Sequence, residues 1–141
     1  MLMSYDNNNR MSQVKYVLYD NKGVGYKLTR SVRCQHDSRG FISYFEYVDE
    51  NNKPMANQYG ELGFSMEYDH CGRIIHQVSY SSADRKSISL DLIIVYDENG
   101  SVNKVVLEDY YNNQKYTIDG SEIANFQYGD MGYIEGVDIK N

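Results

Sequence analysis

Tyr68-Asp69-His70-Cys71-Gly72-Arg73-Ile74 is the stretch whose reading decides the fold. An aromatic closes one strand, a tight turn follows, and an apolar residue opens the next strand. Aspartate accepts hydrogen bonds from backbone N–H groups further round a turn, and glycine takes the positive φ of a type I turn with a bulge. The same pattern recurs. Tyr96-Asp97-Glu98-Asn99-Gly100-Ser101-Val102 is its cleanest copy, and Tyr19-Asp20-Asn21-Lys22-Gly23 is another. Tyr5-Asp6-Asn7-Asn8-Asn9-Arg10-Met11 and Val48-Asp49-Glu50-Asn51-Asn52 replace glycine by asparagine, which also tolerates the left-handed region.

Between these turns, apolar residues alternate. Val14, Tyr16 and Leu18 share one strand face, and Phe64, Met66 and Tyr68 share another. Ile74, Val78 and Tyr80 are expected to alternate out of the central turn. Ile88, Leu90, Leu92, Ile94 and Tyr96 form the strongest run of period two. Pro54 falls in the polar connection 49–60, away from central strands. Residues 121–125 read as one helical turn, and Gly129, Gly132 and Gly136 as an irregular end. The pattern predicts a single all-β domain over residues 1–141. Its architecture is an antiparallel meander of about eight to ten strands, in a curved sheet closing wholly or partly into a barrel or sandwich.

Lys53-Pro54-Met55-Ala56-Asn57, Gly60, Phe64-Ser65-Met66-Glu67-Tyr68-Asp69, Gly72-Arg73-Ile74 and Tyr80 together resemble one unit of a bacterial tandem β-hairpin repeat. In style the unit is similar to the YD (Rhs-type) and MORN-variant repeats with Y-D-x-x-G turns. The resemblance covers mainly residues 53–80. It implies an all-β hairpin array whose role is binding or scaffolding rather than catalysis. The turn-closing residues Tyr5, Tyr19, Val48, Tyr68 and Tyr96 are unevenly spaced, unlike the fixed period of a solenoid.

The net charge of −6 conceals an asymmetry: +4 over residues 1–40 and −10 over residues 41–141. A general nucleic-acid binder would be more basic than this. The longest apolar run, Leu92-Ile93-Ile94-Val95-Tyr96, is far too short to span a bilayer. No apolar signal core follows Met1-Leu2-Met3-Ser4, so the expected location is cytoplasmic.

Fifteen tyrosines and no tryptophan favour half-wet sheet faces, where the ring packs and the hydroxyl stays hydrated. Tyr44, Tyr47, Tyr59, Tyr110 and Tyr111 are candidates for a recognition surface. Arg30, Arg33 and Arg39 are candidates for holding an anion. Cys34, His36, His70 and Cys71, with His76, are the soft metal-ligand candidates, and a zinc site needs four such groups to converge. Aligning the turns places Cys71 opposite Asn8, Lys22, Asn51 and Asn99, all turn-tip positions, so solvent-facing roles are expected and neither metal nor cofactor is predicted. No nucleophile elbow, P-loop or dinucleotide-binding turn is present in the sequence.

The first functional expectation is a non-enzymatic binding protein that contacts a protein partner through an acidic, tyrosine-rich sheet surface. A small inhibitor or immunity-type protein of phage or mobile-element origin would have this character. The alternative is a barrel enclosing a small molecule or glycan, and an enzyme with an unrecognised site is a third reading. Open strand edges are compatible with a homodimer.

Overall fold

A computed structural model describes residues 2–19, 26–119, 123–129 and 131–140, with backbone only at 16–19, 26–30, 123 and 140. Eleven strands follow in order among the described residues: β1 (Leu2–Tyr5), β2 (Met11–Tyr19), β3 (Tyr26–His36), β4 (Ile42–Val48), β5 (Gly63–Tyr68), β6 (Ile74–Tyr80), β7 (Ile88–Tyr96), β8 (Val102–Asp109), β9 (Gln114–Ile118), β10 (Ile123–Tyr128) and β11 (Ile134–Lys140). The first nine pair antiparallel, each with the next, in one open sheet, and β10 and β11 form a separate hairpin. The all-β meander expectation holds. The sheet does not close into a barrel: β1 and β9 are its free edges, and the second layer is the hairpin. The expected helical turn is replaced at 123–125 by the start of β10, and of the glycines expected to make an irregular end, Gly129 and Gly132 lie in the β10–β11 turn while Gly136 is within β11.

The turn chemistry is uniform. The Asp69 N–H donates to the Arg73 carbonyl at 2.9 Å, and the Gly72 N–H donates to the Asp69 carbonyl at 3.1 Å. Asp69 Oδ1 accepts the N–H groups of Cys71 and Arg73, each at 2.9 Å. Asp6, Asp37, Asp49 and Asp97 repeat this arrangement, and so does Asn57. The fourth turn residue has positive φ in every case, Gly72 at 83° and Asn9 at 60° among them. The turn read at Asp20 lies outside the described residues. The connection 49–60 therefore contains two of these turns, and Pro54 bridges back to Val48.

Successive turns at one end of the sheet are tied by arginines. Arg10 donates to the Asp37 carbonyl at 3.2 Å, Arg39 to the Asp69 and Tyr68 carbonyls at 2.7 and 3.1 Å, and Arg73 to the Gly100 carbonyl at 3.3 Å. The closing tyrosines add a second tie. Tyr68 donates its hydroxyl to the Ile42 carbonyl at 2.8 Å, and Tyr96 donates to the Ile74 carbonyl at 3.2 Å. Tyr68 and Tyr96 thus do more than fill space, because each hydroxyl reaches the neighbouring hairpin.

One face of the sheet is the core. Phe45 is fully buried, stacked on Phe64 with ring centroids 4.9 Å apart and flanked by Tyr47, Leu92, Ile94 and Val105 across the sheet. The hairpin covers this face with Met131, Tyr133 and Ile134, the Tyr133 ring lying 4.8 Å from Phe64 and 5.3 Å from Phe45. Gly129 is required at the base of the hairpin, because a Cβ there would run into the Tyr133 ring. The phase of β6 differs from the sequence pattern. A bulge opposite Tyr68 puts Ile74 on the core face with Gln77 and Ser79, while Val78 and Tyr80 turn to the opposite face. The core thus receives a buried amide. Gln77 Nε2 donates to the Ile134 carbonyl at 2.8 Å, and the Ile134 N–H donates to Gln77 Oε1 at 2.7 Å.

Two outcomes follow from these contacts. Gln77→Leu leaves the Ile134 N–H and carbonyl buried and unpaired, and urea denaturation is expected to show a loss of about 2–4 kcal/mol. The Arg73 backbone N–H, its guanidinium and the Cys71 N–H hold the Asp69 carboxyl below the usual aspartate range. A depressed carboxyl contributes stability above its unfolded pKa, and that contribution is lost as pH falls through the folded value. Unfolding free energy measured against pH is therefore expected to fall below about pH 4. Asp69→Asn keeps the Oδ1 acceptor, as Asn57 does naturally, and is expected to flatten that acid limb.

Candidate functional site

The hairpin covers only part of the core face. Beside β11 it leaves a groove of about 890 Å³. The floor is apolar, made by Leu90, Leu92 and Leu107 from β7 and β8. One wall is the turn 57–61, a second is the turn 109–112 after β8, and the third is β11 from Ile134 to Val137. Among the described residues, the charged side chains lining it are Glu61, Asp109 and Glu135, with no lysine, arginine or histidine.

Each rim residue is held by local chemistry. Asn57 Oδ1 accepts the N–H groups of Tyr59 at 2.9 Å and Glu61 at 3.0 Å, which sets Tyr59 at the turn tip, 74% exposed. The Asn57 amide donates to Glu61 Oε1 at 3.1 Å and keeps that buried carboxylate in place. Across the groove, Asp109 Oδ1 accepts the N–H groups of Tyr111 and Asn112, both at 3.1 Å, and its Oδ2 accepts the Asn112 amide at 2.7 Å. This turn projects Tyr111 into solvent at 87% exposure. Two rings thus stand at the mouth of an apolar trough whose charges, among the described residues, are all negative. Such a site can bind a ligand along an apolar floor with carboxylates and tyrosines at its rim.

The other sequence candidates are dispersed. Tyr44 and Tyr47 do not reach the surface, at 4% and 6% exposure. Tyr47 lies edge-on to Phe45 and Phe64 in the core and hydrogen-bonds Tyr133. Tyr44 lies on the opposite face beneath the Arg85 guanidinium, 3.4 Å from its ring centroid, and burial raises its hydroxyl pKa. Long aromatic rings on neighbouring strands bury each other, and period-two alternation does not tell a covered ring from a wet one. Tyr110 is exposed and donates to Glu108 Oε2 at 2.8 Å, away from the groove lining. Arg33 pairs with Glu46 at 2.6 Å, Arg39 is spent on the turn ladder, and the Arg30 side chain lies outside the described residues. Arg33 and Arg39, the two with described side chains, are thus engaged with different partners.

Cys34 packs against the core and burial pushes its thiol up to about 11, whereas His70 and Cys71 occupy an exposed turn tip. His36 ends β3, and His76 Nε2 lies 2.6 Å from Asp91 on the outer face. Among the described residues no group of three or more His, Cys, Asp or Glu is arranged to hold a metal ion. Sequence reasoning missed Glu61, Asp109 and Glu135 as groove acids. The signal for two of them was present in the turn motifs, since Asn57 and Asp109 begin turns whose tips carry Tyr59 and Tyr111.

Among solved structures, the fold is similar to a chain in the Tc holotoxin pore of Photorhabdus luminescens, with a TM-score of 0.55 and 11% sequence identity over 96% of this chain. The chain spans 8% of that neighbour's length. At this identity the likeness is one of fold, an antiparallel β meander. No protein-family model and no curated protein matches the sequence. No helix among the described residues is long and apolar enough to cross a membrane.

The two cysteines provide a check on this surface. A thiol reagent near neutral pH is expected to label Cys71 at an ordinary rate. Cys34, with its thiolate suppressed and its sulfur packed, is expected to react about a hundredfold more slowly, as read by mass spectrometry of labelled peptides.

Proposed function

We propose that this chain is a non-enzymatic binding module that takes a basic segment of a partner protein in the groove beside β11. The observation that carries the reading is the lining itself: every charged side chain among its described residues is a carboxylate, and two exposed tyrosines flank an apolar floor. Carboxylates at a rim steer and select a cationic partner, and rigid aromatics supply contact area at low entropic cost. This moves the recognition surface from the general sheet face to one groove. It also retains Tyr59 and Tyr111 from the sequence candidates.

The role fits a small inhibitor or immunity-type protein acting on a basic partner surface. The acidic balance of residues 41–141 supports that direction. The finer kinship with YD-type hairpin repeats is supported by the recurring Asp–Gly turn and its closing tyrosine, and by a fold shared with a toxin-complex chain. A cytoplasmic setting is supported by two free cysteines, one of them exposed.

The test is capture of partners from the native cell extract by the whole chain at about 0.05 M and about 0.5 M salt. A partner bound through this groove is expected to be released at the higher salt. Its binding is also expected to weaken about tenfold with Tyr59→Ala or Tyr111→Ala. Retention unchanged by salt and by both substitutions would exclude the groove. Elution by a neutral oligosaccharide, with no salt dependence, would establish the glycan reading instead, in which the two rings stack on sugars.

A further inference from the structure

The β10–β11 hairpin is a two-stranded sheet, so β11 has an outer edge that no strand pairs among the described residues. The hydrogen-bond phase of the hairpin decides which groups point outward. The Gly129 N–H donates to the Tyr133 carbonyl, so Tyr128 and Ile134, one step along, form a non-hydrogen-bonded pair. Beyond the bulge, Phe126 with Val137 and Ala124 with Ile139 stand in the same phase. The N–H and carbonyl groups of Ile134, Val137 and Ile139 therefore point away from β10.

At Ile134 both outward groups are taken by the Gln77 amide, at 2.8 and 2.7 Å. A carboxamide presents one donor and one acceptor side by side, as a neighbouring strand would. One step of this edge is thus already paired as if by a strand. At Val137 the outward groups have no partner among the described residues, and Val137 lines the groove beside the apolar floor. The free edges of β1 and β9 differ: all of β1 is exposed, as is β9 except Ile118, and neither edge lines this trough.

We propose that the outer edge of β11 accepts an extended, basic segment of the partner protein as an added strand, laid along the groove beyond Gln77. The inference rests on the groove reading above and gives its mode. Main-chain hydrogen bonds to Val137 and Ile139 supply affinity, and alternate side chains of the incoming strand supply specificity. Those facing the sheet meet Leu90, Leu92 and Leu107 and are apolar. The strand would run between Glu135 on β11 and Asp109 beside the floor, with no cation among the described lining residues to repel it, and its polar positions are Lys or Arg.

The experiment titrates the full chain with a synthetic peptide of alternating Val and Lys, followed by amide NMR and hydrogen exchange. Two companions are run: the same peptide N-methylated at every second backbone nitrogen, and a peptide of alternating Val and Glu. The Val–Lys peptide is expected to bind and to slow exchange of the Val137 and Ile139 amides at least about tenfold. N-methylation is expected to weaken binding at least about tenfold, because it removes the edge hydrogen bonds. Equal binding of the methylated peptide, or unchanged exchange at Val137 with peptide bound, overturns strand addition and leaves the acidic groove standing. Equal binding of the Val–Glu peptide overturns the basic preference, and the groove reading with it. No binding of the Val–Lys peptide overturns strand addition; a cellular partner that still depends on Tyr59 and Tyr111 would then keep the groove reading.

Discussion

The two hydrogen bonds between Gln77 and Ile134 are the constraint on which the second layer depends. They join a β6 side chain to β11 backbone across 57 residues of sequence. A buried amide and a buried peptide group each carry a large desolvation cost when unpaired. Here each satisfies the other, so the hairpin has one favourable seat. An open nine-stranded sheet with Phe45, Phe64 and Leu92 on one face cannot remain uncovered in water. The clasp sets where the cover sits, and the stacked rings of Tyr133, Phe64 and Phe45 supply the apolar contact beneath it.

The sheet beneath is organised from its ends. Carboxylate-capped turns at Asp6, Asp37, Asp69 and Asp97 close successive hairpins, and Arg10, Arg39 and Arg73 each reach a carbonyl of the next of these turns. Arg73 also lies over the Tyr96 ring at 4.1 Å, and Arg39 over Phe41 at 4.8 Å. This converts separate hairpins into one surface, because a slip in any strand would break ties on both sides. It also explains why arginines near the turns do not gather into an anion site: their donors are aimed at backbone oxygens.

The groove follows from a mismatch of widths. Strands lie about 4.8 Å apart, so two of them cannot span the face made by nine. The hairpin covers the aromatic centre at β4 and β5 and leaves Leu90 of β7 and Leu107 of β8 in partial contact with solvent. Turns on either side then wall that remainder with acids and tyrosines. The site is a consequence of incomplete coverage, and its negative sign comes from turn chemistry, since Asp109 and the Asn57–Glu61 pair serve the backbone as well as the groove.

The all-β character, the antiparallel order and the position of most turns were legible in the sequence. Asp69 with Gly72, Asp97 with Gly100, and Asp6 with Asn9 specify turns through contacts within a few residues, and such contacts form wherever the chain is placed. Tyr59 and Tyr111 could be nominated for recognition for the same reason, since turn tips are exposed by geometry. Tertiary structure decided the rest. A bulge opposite Tyr68 reversed the phase of Ile74 and brought Gln77, a polar residue, into the core. Tyr44 and Tyr47 were removed from the surface by packing that includes rings on other strands, Tyr80 against Tyr44 and Phe64 against Tyr47. The hairpin at 123–140 received its place, and the groove its walls, from contacts across the sheet. Local hydrogen bonds are written in neighbouring residues, whereas burial and concavity depend on which distant surfaces meet, and a linear pattern does not carry that information.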